Sequence, residues 1–162
     1  MNALTSTSFK NSTALEDFTA LEDSFADLLP RELRSQALGM SWTAFTRRFG
    51  AASGPIRLGS WDFSAARAGR TTFDATFGIG TSIHSATATT YGPIDALTSM
   101  LYDAGFHIEI TSFHQQQMPA VGTTTFVLAE FDGTREWAMA SGSTSAESSI
   151  KAIIGAANML HG

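Results

Sequence analysis

The chain has 162 residues, 43% of them hydrophobic and 15% charged, and a formal net charge of −5. That length supports one domain with a real core plus a modest extension, and the acidic balance argues against a protein that tracks nucleic-acid phosphates. It contains no cysteine, which excludes disulfides, thiol catalysis and cysteine-ligated metal.

No apolar run approaches the ~20 residues that cross a bilayer. The first residues lack the basic stretch and apolar core of a secretion signal. A cytoplasmic protein with neither a nucleic-acid nor a membrane partner is therefore expected. With so few charges, much of the surface must be Ser, Thr, Gly and Ala, a surface that often hides part of itself in a subunit contact.

Residues 1–12 (MNALTSTSFKNS) are small and polar and are expected to form a disordered tail. Residues 13–50 read as a helical extension. Leu15, Phe18, Leu21, Phe25, Leu28 and Leu29 keep helical spacing, with Glu16, Asp17, Glu22 and Asp23 opposite. Pro30 interrupts that helix or starts another at its first turn, and a helical stretch runs from Arg31 to Leu38. Ser41 is placed to cap a helix whose Trp42, Phe45 and Phe49 share a face. The run 50–55 (GAASGP) then reads as a linker.

The main domain is expected over 56–162. Three strand patterns come first: Arg57–Ser64, with Trp61 and Phe63 on one face; Thr71–Phe77, alternating through Phe73 and Ala75; and Thr81–Thr89, with Ile83 and little else apolar. Gly78-Ile79-Gly80 reads as the turn between the last two. A helix follows over 93–104. Ile94, Leu97 and Leu101 line one face, Pro93 stands at its first position and Gly105 just past its end. The pattern then restarts. Phe106–Phe113 alternates, Gln115–Gly122 reads as a polar loop, Thr123–Phe131 is a strong β run, Asp132-Gly133 signals a hairpin, and Arg135–Ala140 returns. A second helix spans Ser145–Leu160, with Ile150, Ile153, Ile154 and Ala157 along it and Thr144 and Glu147 spaced as a capping box. The fold class is α+β: two tandem βββα units, 56–105 and 106–160, forming a two-layer sheet and helix domain behind a helical N-terminal extension.

Little in the residues points to catalysis. His84, His107, His114 and His161 are the only histidines, and none pairs with another at i, i+2 or i+4 spacing. No Ser–His–Asp grouping, phosphate loop or dinucleotide fingerprint is present, so no catalytic residue, metal or cofactor is expected. Three features have both a ligand reading and a plain one. Asp95 suits an α-ammonium group, or simply favours the helix dipole. Ser143, Thr144 and Ser145 suit a carboxylate, or cap the second helix. His114, in the Gln-rich run, suits a ligand contact or solvent.

YGPIDALTSMLYDAGFHIEI resembles the NGPLAAxxxAL…GFDVxV stretch of the C-terminal regulatory, dimer-forming domain of 2-isopropylmalate synthase and citramalate synthase. REWAMASGSTSAESSIKAIIGAANML is similar to the end of that domain, with Trp137, Ser149, Ala152, Ala156 and Asn158 at matching places. LPRELRSQALGMSWTAFTRRFG resembles the linker of the actinobacterial enzymes. The resemblance covers residues 29–160.

It implies a homodimer that binds an amino-acid end product, leucine or isoleucine, near the interface between paired units. In the synthases that binding inhibits a catalytic barrel, for which 162 residues leave no room, since such barrels take about 250 residues. The expectation is therefore a stand-alone, non-catalytic regulatory domain that binds a small amino or keto acid, modulates a separate synthase (acyltransferase) subunit, or does both. The family's pocket maps onto Tyr91, Gly92, Pro93, Ile94, Asp95, Ile110, Phe113, Gln117, Ser141, Gly142 and Ser143. Three departures accompany the match. Ala88-Thr89-Thr90-Tyr91 replaces a Gly-x-Gly-Asn run, removing glycines that let backbone approach a ligand. Asp95 and Gln117 stand where the family places alanine, and Ser112–Gln116 replaces an Asp-Tyr-x-Glu-His stretch. They leave a second expectation open, a structural dimerisation or protein-interaction module without ligand.

Overall fold

A computed structural model describes residue 16, residues 21–50 and residues 53–162. The expected tail and the beginning of the first helix lie outside the described residues. Three short helices open the structure: α1 (residues 21–28), α2 (Arg31–Gln36) and α3 (Trp42–Phe49). Side chains close the end of α1 and the start of α3. Arg34 donates to the carbonyls of Leu29 and Asp27 at the end of α1. Ser41 Oγ accepts from the Ala44 N–H, and the Glu22 carboxylate accepts from the Trp42 N–H at 3.0 Å. The start of α3 is thus capped by its own serine and by a carboxylate from α1, which suits the positive end of a helix.

Two three-stranded antiparallel sheets follow, β1 (Ile56–Ala65), β2 (Thr71–Ile79) and β3 (Ser82–Thr90), then β4 (Glu109–Met118), β5 (Gly122–Phe131) and β6 (Thr134–Gly142). Each is completed by a helix, α4 (Pro93–Asp103) and α5 (Ser145–His161). The fold is α+β, and the βββα unit occurs twice. Ser82–Thr90 recurs as Thr134–Gly142 and Pro93 as Ser145, an offset of 52 residues. The irregularities recur at the same offset. The pairing of β1 with β2 slips between Leu58 and Ser60, and that of β4 with β5 between Ile110 and Ser112. Each slip is a bulge in the first strand, at Gly59 and at Thr111, and a bulge shifts which residues face inward. That is why Leu58 and Trp61, and likewise Ile110 and Phe113, fall on one face although three residues apart. The turns repeat too: Ala68 and Ala120 both take positive φ (59° and 64°), as do Gly80 and Asp132 (61° and 51°).

Two expectations are corrected. Gln115–Gly122 is not a loop, because β4 runs to Met118 and takes in Gln115, Gln116 and Gln117. These polar residues stay extended because β4 is an edge strand and because Gln115 and Gln117 find hydroxyl partners. Gly78 and Ile79 are strand rather than turn, since β2 continues to Ile79 and the reversal falls at Gly80 and Thr81.

One core is common to both units. It takes Phe73, Ala75 and Phe77 from β2, Val127 and Ala129 from β5, Leu97 and Leu101 from α4, and Ile150, Ile153 and Ala157 from α5. Helix α5 is buried from Ser148 to Asn158 apart from Lys151, as a helix apolar nearly all round must be. Asn158, 2% exposed, ties it to the first sheet. Its Oδ1 accepts from the Ile56 N–H at 2.8 Å and its Nδ2 donates to the Ile56 carbonyl at 2.9 Å, as a strand neighbour would.

A second core lies on the far face of the second sheet. Phe126, Leu128, Trp137 and Met139 pack there against Leu21, Phe25, Trp42, Phe45 and Phe49 from the N-terminal helices. At the 52-residue offset, the first sheet carries Asp74, Thr76, Ser85 and Thr87 in those four places, with Thr87 donating to the Asp74 carboxylate. These four substitutions decide which sheet is covered. Large apolar side chains stabilise by about 1.5–3 kcal/mol each when buried, whereas the polar set is satisfied in water.

Candidate functional site

The eleven expected ligand residues fall into three groups. Tyr91–Asp95 start α4. Tyr91 is 70% exposed, its ring stacked under the Arg70 guanidinium at 5.4 Å. Gly92 caps the helix without a side chain. Its carbonyl accepts from the Ala96 N–H and from the Thr90 hydroxyl. Pro93 holds the first helical position, Ile94 packs half-buried against the shared core, and Asp95 lies exposed in the first turn.

Ile110, Phe113 and Gln117 are on β4. Ile110 and Phe113 share the inner face of that edge strand, Ile110 half-buried and Phe113 36% exposed. Gln117 Oε1 accepts from the Thr123 hydroxyl. His114 faces the other side of the strand, its ring 6.4 Å from that of Trp137.

Ser141, Gly142 and Ser143 lead into α5. Ser141 exchanges a hydrogen bond with buried Thr124 at 2.7 Å. A Cβ at Gly142 would lie 3.0 Å from Glu147 Cγ and from the Ser148 nitrogen, a tight fit that its neighbours would have to ease by a few tenths of an ångström. The Ser143 N–H and hydroxyl both donate to Glu147 Oε2, at 3.0 and 2.7 Å, while Lys151 Nζ meets Glu147 Oε1 at 2.7 Å. The Lys151 ammonium first, and the two Ser143 donors after it, lower the Glu147 carboxyl from its usual 4.5 to about 2. Thr144 caps the helix by accepting from the Glu147 N–H. The capping-box spacing is thus realised, but the carboxylate expected from a ligand at this helix start is supplied by Glu147 itself.

Tyr91 and Gly92 correspond to Ser143 and Thr144 at the 52-residue offset. The two groups occupy equivalent helix starts in the two units, and within one protomer no hydrogen bond or ring contact joins them among the described residues. Of the eleven residues, Ser141 alone lines one of the principal clefts.

Gln115, which the loop reading passed over, is the best connected polar side chain of β4. Its Nε2 lies 3.0 Å from Thr125 Oγ1, 2.9 Å from the Ser145 carbonyl and 2.8 Å from Ser149 Oγ, and its Oε1 accepts from the Ser145 hydroxyl at 2.7 Å. Thr125 and Ser148 bond to each other beneath it. The sequence signal is the i, i+3, i+4 serine stripe Ser145, Ser148 and Ser149, of which Ser148 and Ser149 are buried although polar. Its counterparts in the first unit are Pro93, Ala96 and Leu97, and Phe63 stands in the place of Gln115. Among the described residues no buried side-chain nitrogen or oxygen lacks a partner.

A cleft of about 560 Å³ opens between α3, the start of β1, the end of β6 and α5. Another of about 490 Å³ lies at the opposite end of the second sheet, where Tyr102 and His107 stack at 4.0 Å beside Glu109 and Glu130. No described helix is long and apolar enough to cross a membrane. Comparison with models of known protein families and with curated proteins finds no match to this chain.

Proposed function

We propose that this chain is a non-catalytic regulatory domain of the kind found in 2-isopropylmalate and citramalate synthases. It acts in the cytoplasm as a homodimer that binds a small amino or keto acid, modulates a separate acyltransferase subunit, or does both. The observation that carries this reading is the duplicated βββα unit with both helices in one core. Further support comes from the first strand of each unit, which keeps an aromatic on its inner face half-buried or exposed: Trp61 with Phe63, and Phe113. A second copy seated on those strands would bring helix starts of two protomers toward one another, the arrangement that a small acid with one ammonium or keto end and one carboxylate requires. Asp95 is then the group for an ammonium, and the uncapped backbone at Gly92 the place for a carboxylate.

The test is a thermal-shift panel of leucine, isoleucine, valine and their 2-oxo acids. A ligand held by the native state at a hundred times its Kd stabilises by about 2.7 kcal/mol and raises the melting point. The second reading, a dimerisation or protein-interaction module without ligand, is favoured by Glu147, which already fills the start of α5. Silence across the panel, in a protein that still runs as a dimer, decides for it.

A further inference from the structure

We infer that the cleft between α3 and α5 is a binding site for an amphipathic monocarboxylate with an aliphatic body of medium length. Its walls are the indole of Trp42 from α3, Leu58 from β1, Met139 and Ala140 from β6, and Ile154 from α5. These come from both cores, so the cleft follows the seam where the N-terminal helices meet the duplicated domain. Its volume of about 560 Å³ falls within the roughly 300–1,000 Å³ of sites that take small organic ligands.

Charge selects the head group. Two charged residues line the cleft, Arg57 and Lys151, and both are cations in a chain of net charge −5. Arg57 contributes its stem, because its guanidinium donates to the Gly80 carbonyl at 2.8 Å. Lys151 lines this cleft and the neighbouring one that holds its partner Glu147, so its ammonium stands between the two and is the cation within reach of a head group. Its side chain is 51% exposed and its ammonium rests on Glu147 at 2.7 Å, so two of its three N–H donors remain for an incoming carboxylate. Glu147 is the one acid facing it and is held independently by Ser143. Thr46 and Ser141 supply the remaining polar edge. A cationic amphiphile would meet Lys151 head-on, and an uncharged one would leave it unused.

This site is separate from the helix starts proposed for the small acid, Ser141 excepted, and stands whether or not leucine binds. The experiment is calorimetric titration of the full chain with decanoate below its micelle concentration, with decan-1-ol as the uncharged control. Saturable binding of one decanoate per chain is expected, with decan-1-ol about tenfold weaker, the worth of one charge-assisted hydrogen bond. Lys151→Gln should weaken decanoate about tenfold and leave decan-1-ol unchanged. Thr46→Trp, at the mouth on α3, should abolish both. Absence of saturable decanoate binding, equal binding of the alcohol, or a Lys151→Gln protein that binds decanoate as before would each overturn the assignment. Should Thr46→Trp fail to fold, Lys151→Gln decides alone, because its side chain is half in solvent and its loss leaves the core intact.

Discussion

Asn158 ties the last helix to the first strand. Its amide spans 102 residues of sequence to pair with both backbone groups of Ile56, which would otherwise be buried unpartnered at the start of β1. Asn158→Ala removes both bonds and leaves those groups unsatisfied, at a cost of about 1–3 kcal/mol for each. Chemical denaturation should therefore show a loss near 3 kcal/mol, large for one polar side chain. Glu147 makes a different prediction. Its folded pKa of about 2 lies below the unfolded 4.5, so its stabilisation is complete above about pH 4.5 and is lost as the pH falls toward 2. Glu147→Gln should be less stable than the parent at pH 7, and the two melting points should converge toward pH 2. Melting curves that stay parallel across that window would show that the contacts with Lys151 and Ser143 contribute nothing.

At the level of elements, the four positions that differ between the sheets decide where the N-terminal helices pack. Trp137→Ser puts into the second sheet what the first carries at Ser85, and should cost about 3–5 kcal/mol as a large core deletion. A chain beginning at Gly50 should bind an apolar dye strongly, since Phe126, Leu128, Trp137 and Met139 would face water. The run Phe126 to Ala129 (FVLA) carries a signal of this cover that its reading as a strong β run did not use. Four apolar residues in a row belong to a strand buried on both faces, whereas Thr71–Phe77 alternates and is open on one. The strand and helix order, the cap at Thr144 and the Asp132-Gly133 turn were legible, because each rests on local chemistry. Gln115 was not, because a glutamine in an edge strand looks like a loop residue until its partners on α5, thirty residues away, come into place. The self-bonding of Ser143 with Glu147 was half legible: the capping box named the helix start, but it said nothing of Lys151 at i+4 or of the carboxylate folding back on Ser143.

For the whole molecule, one unit written twice leaves an aromatic on the inner face of each first strand open to solvent, Phe63 in the first unit and, less so, Phe113 in the second. Phe63 is 71% exposed there, beside Phe73 at 6.5 Å. In an isolated protomer Phe63→Ser should change stability by less than about 0.5 kcal/mol, as exposed substitutions do, and in the proposed dimer it should weaken association. The measurement that reaches the proposal most directly is sedimentation equilibrium of the parent chain and of Phe63→Ser. The parent is expected at about twice 17.2 kDa, with the variant shifted toward the single chain. A parent that sediments as one 17.2 kDa chain at every concentration would contradict it.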